Sequence, residues 1–98
     1  MAGFTAYQRV VRETCSEFNV TMHELRSPRR NDDLMIARQV LTLLLCEFTM
    51  MTNDEIRDCL NRRGKNMAIY YRKVIKDTMA FDKDLTSRVE KIKKAVRI

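Results

Sequence analysis

The chain has 98 residues and a mass of 11.6 kDa, with 33% charged and 45% hydrophobic residues, the scale of one small domain. Two glycines and one proline exclude a linker-like or collagen-like composition and a turn-rich β-sandwich, and the apolar runs, Leu43 to Cys46 among them, are far too short to span a membrane. The formal net charge of +6 lies entirely in the second half: residues 1–49 hold six basic and six acidic side chains, residues 50–98 thirteen and seven. Such asymmetry points to a polyanion, nucleic acid above all, against the alternative of a solvated basic face that only maintains solubility.

The first helical pattern, Tyr7, Val10, Val11, Thr14, Cys15 and Phe18, predicts a helix from about Thr5 to Phe18 with one apolar stripe, stopped at Asn19. Thr21 and Glu24 then form a capping box over one short helical turn through Leu25, with Val20 and Leu25 in staple positions. Ser27 to Asn31 is the clearest loop, because Pro28 disfavours helix at Ser27. Asp32 or Asp33 is expected to cap the next helix, whose apolar residues Leu34, Ala37, Val40, Leu41, Leu44, Leu45 and Phe48 form an amphipathic, central core element.

Thr52 and Glu55 form a second capping box, opening a helix over about 53–61 that buries Ile56, Cys59 and Leu60. A tight turn follows at Arg62 to Asn66, with Gly64 suited to positive φ and Asn66 expected to cap a helix over about 67–79. That helix turns Met67, Tyr70 or Tyr71, Val74 and Ile75 inward. A break at Phe81-Asp82, with Asp82 capping, leads to a last helix carrying Leu85, Val89, Ile92 and Val96. Its terminal Lys91, Lys93, Lys94 and Arg97 suit the negative end of the helix dipole and need not touch a ligand. The short helix, basic turn and longer basic helix follow helix-turn-helix grammar over about 53–79, within one helical domain covering 1–98.

Cys15, Cys46 and Cys59 form no Cys-x-x-Cys pair, and His23 is the sole histidine, so neither a zinc site nor a cysteine nucleophile is expected. The cysteines read as small, buried hydrophobes in a reducing compartment. No glycine-rich phosphate loop or catalytic constellation is present, so an enzyme is not expected and no cofactor or metal is assigned. Met1 to Arg9 has no charged region followed by an apolar run, so no signal peptide is expected.

The order Val20-Thr-Met-His-Glu-Leu-Arg-Ser-Pro-Arg-Arg, Ala37-Arg-Gln-Val, Glu47-Phe-Thr, Asp54-Glu-Ile and Tyr71-Arg-Lys-Val resembles the C-terminal DNA-binding domain, domain IV, of the bacterial replication initiator DnaA. The resemblance covers about residues 8 to 96. It implies an all-α, Trp repressor-like fold of about six helices, one very short, around a central apolar helix, and double-stranded DNA as partner. No Walker motif accompanies it, so a stand-alone or excised domain without the ATPase is expected.

Carried over by position, Arg30, with Arg29 beside it, matches the family arginine that enters the minor groove. Arg38 matches a helix arginine near the phosphates. Thr52 and Asn53 match the helix start that approaches the backbone. Asp32 stands where the family has a second loop arginine, which weakens the loop's positive charge. Where the family reads bases through Gly-Gly-Arg-Asp-His-Thr-Thr, this chain has Asn61-Arg62-Arg63-Gly64-Lys65-Asn66, so the initiator's own recognition box is not implied. Arg62, Arg63, Lys65 and Asn66 are nonetheless competent to read guanine and adenine, or to grip phosphate, and Lys73 and Lys76 fall on the following helix.

The expected role is regulatory: control of transcription or replication in a phage, mobile element or bacterium, in the cytoplasm and at the nucleoid. The alternative is a protein-interaction module of the same fold that binds a replication or transcription protein through an adaptable methionine-bearing surface, including Met50, Met51, Met67 and Met79. Oligomeric state is open, since the initiator domain binds as a monomer and Trp repressor relatives are dimers.

Overall fold

In a computed structural model, which describes residues 5–97, all regular structure among the described residues is helical. The helices are α1 (Ala6–Phe18), α2 (Met22–Arg26), α3 (Asp32–Phe48), α4 (Asn53–Cys59), α5 (Met67–Phe81) and α6 (Lys83–Arg97). The first four residues, on which the expectation of no signal peptide partly rests, lie outside the described residues.

Local chemistry sets most of the boundaries. Thr21 and Glu24, and Thr52 and Glu55, form reciprocal capping boxes, and Thr5 with Gln8 forms a third. Asn19 takes a left-handed backbone (φ 54°) and closes α1, with its N–H on the Ser16 carbonyl and that of Val20 on Cys15. Asn61 does the same for α4, which ends at Cys59, two residues short of the sequence expectation. Gly64 has φ 106°, the positive value expected of it.

Three expectations are corrected. Asn31, not Asp32 or Asp33, caps α3: its Oδ1 accepts from the Leu34 N–H at 2.9 Å, while the two aspartates occupy the first turn. Asn66 precedes α5 but makes no side-chain cap bond, because its backbone (φ −112°, ψ 20°) is not the extended one a capping side chain needs. α5 runs on to Phe81, since Asp82 serves as the stop, its carboxylate accepting from the Leu85 N–H at 3.0 Å.

α3 is the axis of the molecule, with α1 and α5 packed against it and α2 and α4 over its flanks. Its residues 37–45 are all buried, including Arg38, Gln39 and Thr42, so this stretch is enclosed on every side rather than amphipathic. α6 lies on α1 and α5 and buries Leu85, Val89, Ile92 and Val96. In α5 it is Tyr71, with Ala68 and Ile75, that faces the core; Tyr70 is exposed. The cysteines are partly buried and lie against the core, less enclosed than expected. The Tyr7 hydroxyl lies 3.2 Å from Cys59 Sγ, and that hydrogen bond, with burial, pushes the phenol up to about 12.

α6 is tied to α1 by Glu17, whose carboxylate takes Arg88 Nε at 3.0 Å and Lys91 Nζ at 3.4 Å. The Arg88 hydrogen bond, seconded by Lys91, holds the Glu17 carboxyl below its ordinary value. The folded state therefore holds this proton less tightly than the unfolded chain. The stabilisation is present above the unfolded carboxylate pKa and is lost as pH falls through the lower folded value. Glu17→Gln is expected to cost up to about 1 kcal/mol at neutral pH. The gap between native and variant melting temperatures should close below the ordinary carboxylate range; a gap independent of pH contradicts this.

Candidate nucleic-acid interface

The last carbonyls of a short helix have no partners within it. At the end of α2 the donors come from far along the chain. Arg38, on α3, donates from Nε to the Leu25 carbonyl at 2.8 Å and from Nη2 to those of Ser27 and Glu24 at 2.9 and 3.2 Å. Arg62, in the turn between α4 and α5, donates from Nη2 to the Leu25 carbonyl at 3.1 Å and also to that of Ser27. Asn61 Nδ2 adds a bond to the Arg26 carbonyl at 3.3 Å.

These bonds revise two sequence assignments. Arg38 is fully buried, and its guanidinium is committed to three main-chain carbonyls, so it does not stand where a phosphate can reach it. Burial, and then the neighbouring Arg62 cation, lower its pKa from the ordinary arginine value. Arg62 is half-buried and turned toward the loop after α2 rather than outward with Arg63.

Arginines of the loop and of the turn frame a cleft of about 740 Å³. Arg26, Ser27, Pro28 and Arg30 line it from the loop side, Asn61, Arg62, Arg63, Met67 and Tyr70 from the turn and α5, together with Met35 and Tyr71. Its lining holds four arginines and, among the described residues, no carboxylate. Arg26, Arg30 and Arg63 are exposed, as are Lys65 and Asn66 in the turn and Lys73 and Lys76 on α5. Arg29, also exposed, leans back to Glu24 at 3.7 Å and is not among the residues lining the cleft. Asp32 is exposed just beyond Arg30, where it reduces the loop's charge.

The start of α4 is less suited to phosphate than its sequence suggested. The Thr52 hydroxyl accepts from the Glu55 N–H at 3.1 Å, and Asn53 Oδ1 accepts from Arg72 Nη2 at 3.1 Å, so both side chains serve the fold. Asp54, Glu55 and Asp58 are exposed around them.

Sequence reasoning missed Arg26, Ile69 and Tyr70. Arg26 belongs to the cleft through its position at the end of α2. Ile69 and Tyr70 are 49% and 61% exposed, on the face of α5 that also carries Lys73 and Lys76. Settling the inward choice on Tyr71, with Ala68 and Ile75, would have exposed them by helical spacing alone.

A short helix, a left-handed turn and a longer basic helix, beside an arginine loop, make a helix-turn-helix whose turn and whose second helix border the cleft. The family model described as the bacterial dnaA protein helix-turn-helix matches residues 7–75. The match ends within α5 and omits α6, although α6 contributes four buried side chains to the core. A match over more than half of the chain, with the corresponding all-helical fold, places this protein in the bacterial DnaA helix-turn-helix family, a family of DNA-binding modules.

Proposed function

We propose that this chain is a regulatory, double-stranded-DNA-binding protein acting in transcription or replication control, in a phage, a mobile element or a bacterium, as a single helical domain without catalytic activity. The observation that carries this reading is the cleft between the basic loop and the helix-turn-helix turn, lined by the exposed Arg26, Arg30 and Arg63 and by no carboxylate among the described residues. Arg63, Lys65 and Asn66 enter the major groove at the start of α5, and Lys73 follows along the same helix. Arg30, with Arg29, reaches the adjacent minor groove or its backbone. The strand that separates the two grooves then runs along the cleft, where Arg26 and Tyr70 meet its phosphates. Thr52 and Asn53 hold the start of α4 in place, and Arg38 supports from within. The altered signature implies a site other than the initiator's own box. No helix among the described residues is long and apolar enough to cross a membrane, and a nucleoid location follows from the DNA reading.

The test is fluorescence-anisotropy binding to a pool of random duplexes, with selection of bound sequences and a salt titration. An enriched motif bound well above the unselected pool supports a specific reader. Unselective binding with a steep salt slope indicates a phosphate-gripping module. Negligible, salt-insensitive binding overturns the DNA reading and favours a protein partner, for which Met50 and Phe81, 98% and 93% exposed, are the apolar candidates. Lys73→Ala is expected to weaken binding to all duplexes alike and to reduce the salt slope by about 0.9, one phosphate contact. A loss confined to the selected motif would instead make Lys73 a base reader.

A further inference from the structure

Arg62 sits at a locally unfavourable place. Its Nε is buried without a partner, and its guanidinium lies beside the buried Arg38 cation, sharing the Leu25 and Ser27 carbonyls with it. Closing the turn after α4 does not require this, because Asn61 already provides the left-handed residue and the Arg62 N–H bonds the Arg57 carbonyl through the main chain. Local violations of this kind concentrate where function demands them. What the arrangement achieves is mechanical. Arg62, helped by Asn61, ties the recognition turn to the segment that leads into Arg29 and Arg30, a sequence separation of 35 residues closed by side-chain bonds to backbone. Arg38 anchors the same carbonyls to α3.

We infer that Arg62 is a positioning residue for DNA recognition: with Asn61 it clamps the basic loop to the recognition turn, so that Arg30 and Arg63 are held at one fixed separation across the cleft. The inference rests on the DNA-binding reading above. A loop and a turn that moved independently could each still grip phosphate, but they would not meet adjacent grooves in one register. The clamp therefore acts on sequence preference more than on total charge contact.

The experiment compares Arg62→Ala, Arg62→Lys and Asn61→Gly with the native chain, the last retaining a residue at ease with positive φ. The probes are a duplex selected by the native chain and the unselected pool, each titrated with salt. Thermal melts and amide hydrogen exchange at the hydrogen-bonded loop and turn amides of Ser27, Arg29 and Met67 are recorded without DNA. The expected result for Arg62→Ala is a loss of about tenfold on the selected duplex, the scale of one misread base pair. Pool affinity and salt slope stay unchanged, and exchange at the loop and turn amides quickens. Arg62→Lys restores part of the preference, and Asn61→Gly shows a smaller loss of the same kind. A parallel fall on both probes with a salt slope reduced by about 0.9 makes Arg62 a phosphate contact and overturns the clamp. Unchanged preference or unchanged exchange in a folded variant overturns it too. If Arg62→Ala fails to fold, Arg62→Lys and Asn61→Gly decide. If the native chain binds no duplex, the DNA reading falls and this role with it, while the exchange data separately report whether loop and turn are tied.

Discussion

Arg38→Ala is expected to lower the unfolding free energy by about 2–5 kcal/mol, the combined effect of a large cavity in the core and buried carbonyls left without a donor. The side chain is completely buried in the centre of α3 and makes three hydrogen bonds to the main chain of residues 24–27. Urea denaturation of native and variant chains measures this directly. Arg38→Lys keeps the charge but not the planar fork that spans several carbonyls, and is expected to recover only part of the loss. A surface arginine touching phosphate would behave in the opposite way, with stability within about 0.5 kcal/mol of native and a shallower salt slope. That outcome would remove Arg38 from the interior of this account.

Arg63→Ala is expected to reduce affinity for a selected duplex by about 1–3 kcal/mol and to relax preference at one position of the motif. Arg63 is exposed at the cleft, one residue before Gly64, and among the described residues no carboxylate holds it. Its removal leaves no buried group unpartnered, so stability should stay within about 0.5 kcal/mol of native. Anisotropy titrations and a repeated selection with the variant separate the possibilities. An unchanged motif and affinity would show that the turn does not read DNA.

The helices were legible because the signals that place them are local. Each capping box joins residues three apart, and each left-handed stop needs only an asparagine or glycine at the right spot. Asn31 is not distinguishable by residue type from the two aspartates after it, since any of the three can cap and only the loop's course chooses among them. The roles of Arg38 and Arg62 were not legible. A buried arginine whose partners are main-chain carbonyls of a distant segment leaves no complementary residue type in the sequence, and so looks like a surface cation. The charge excess in the second half pointed toward a polyanion, yet much of it lies away from the cleft. Lys91 and Arg88 pair with Glu17, Lys93 with Glu47 and Glu90, and Arg57 with Asp54 and Asp58. The cleft instead draws Arg26 and Arg30 from the half of the chain with no net charge.

A backbone amide chemical-shift titration of the native chain with a selected duplex shows directly whether the loop and the turn meet DNA together. The largest changes are expected on Arg26 to Arg30, on Arg63 to Asn66 and on Tyr70 and Lys73, with little change along Lys91 to Arg97. Changes concentrated on α6, or none at all on the loop and turn, would contradict this expectation.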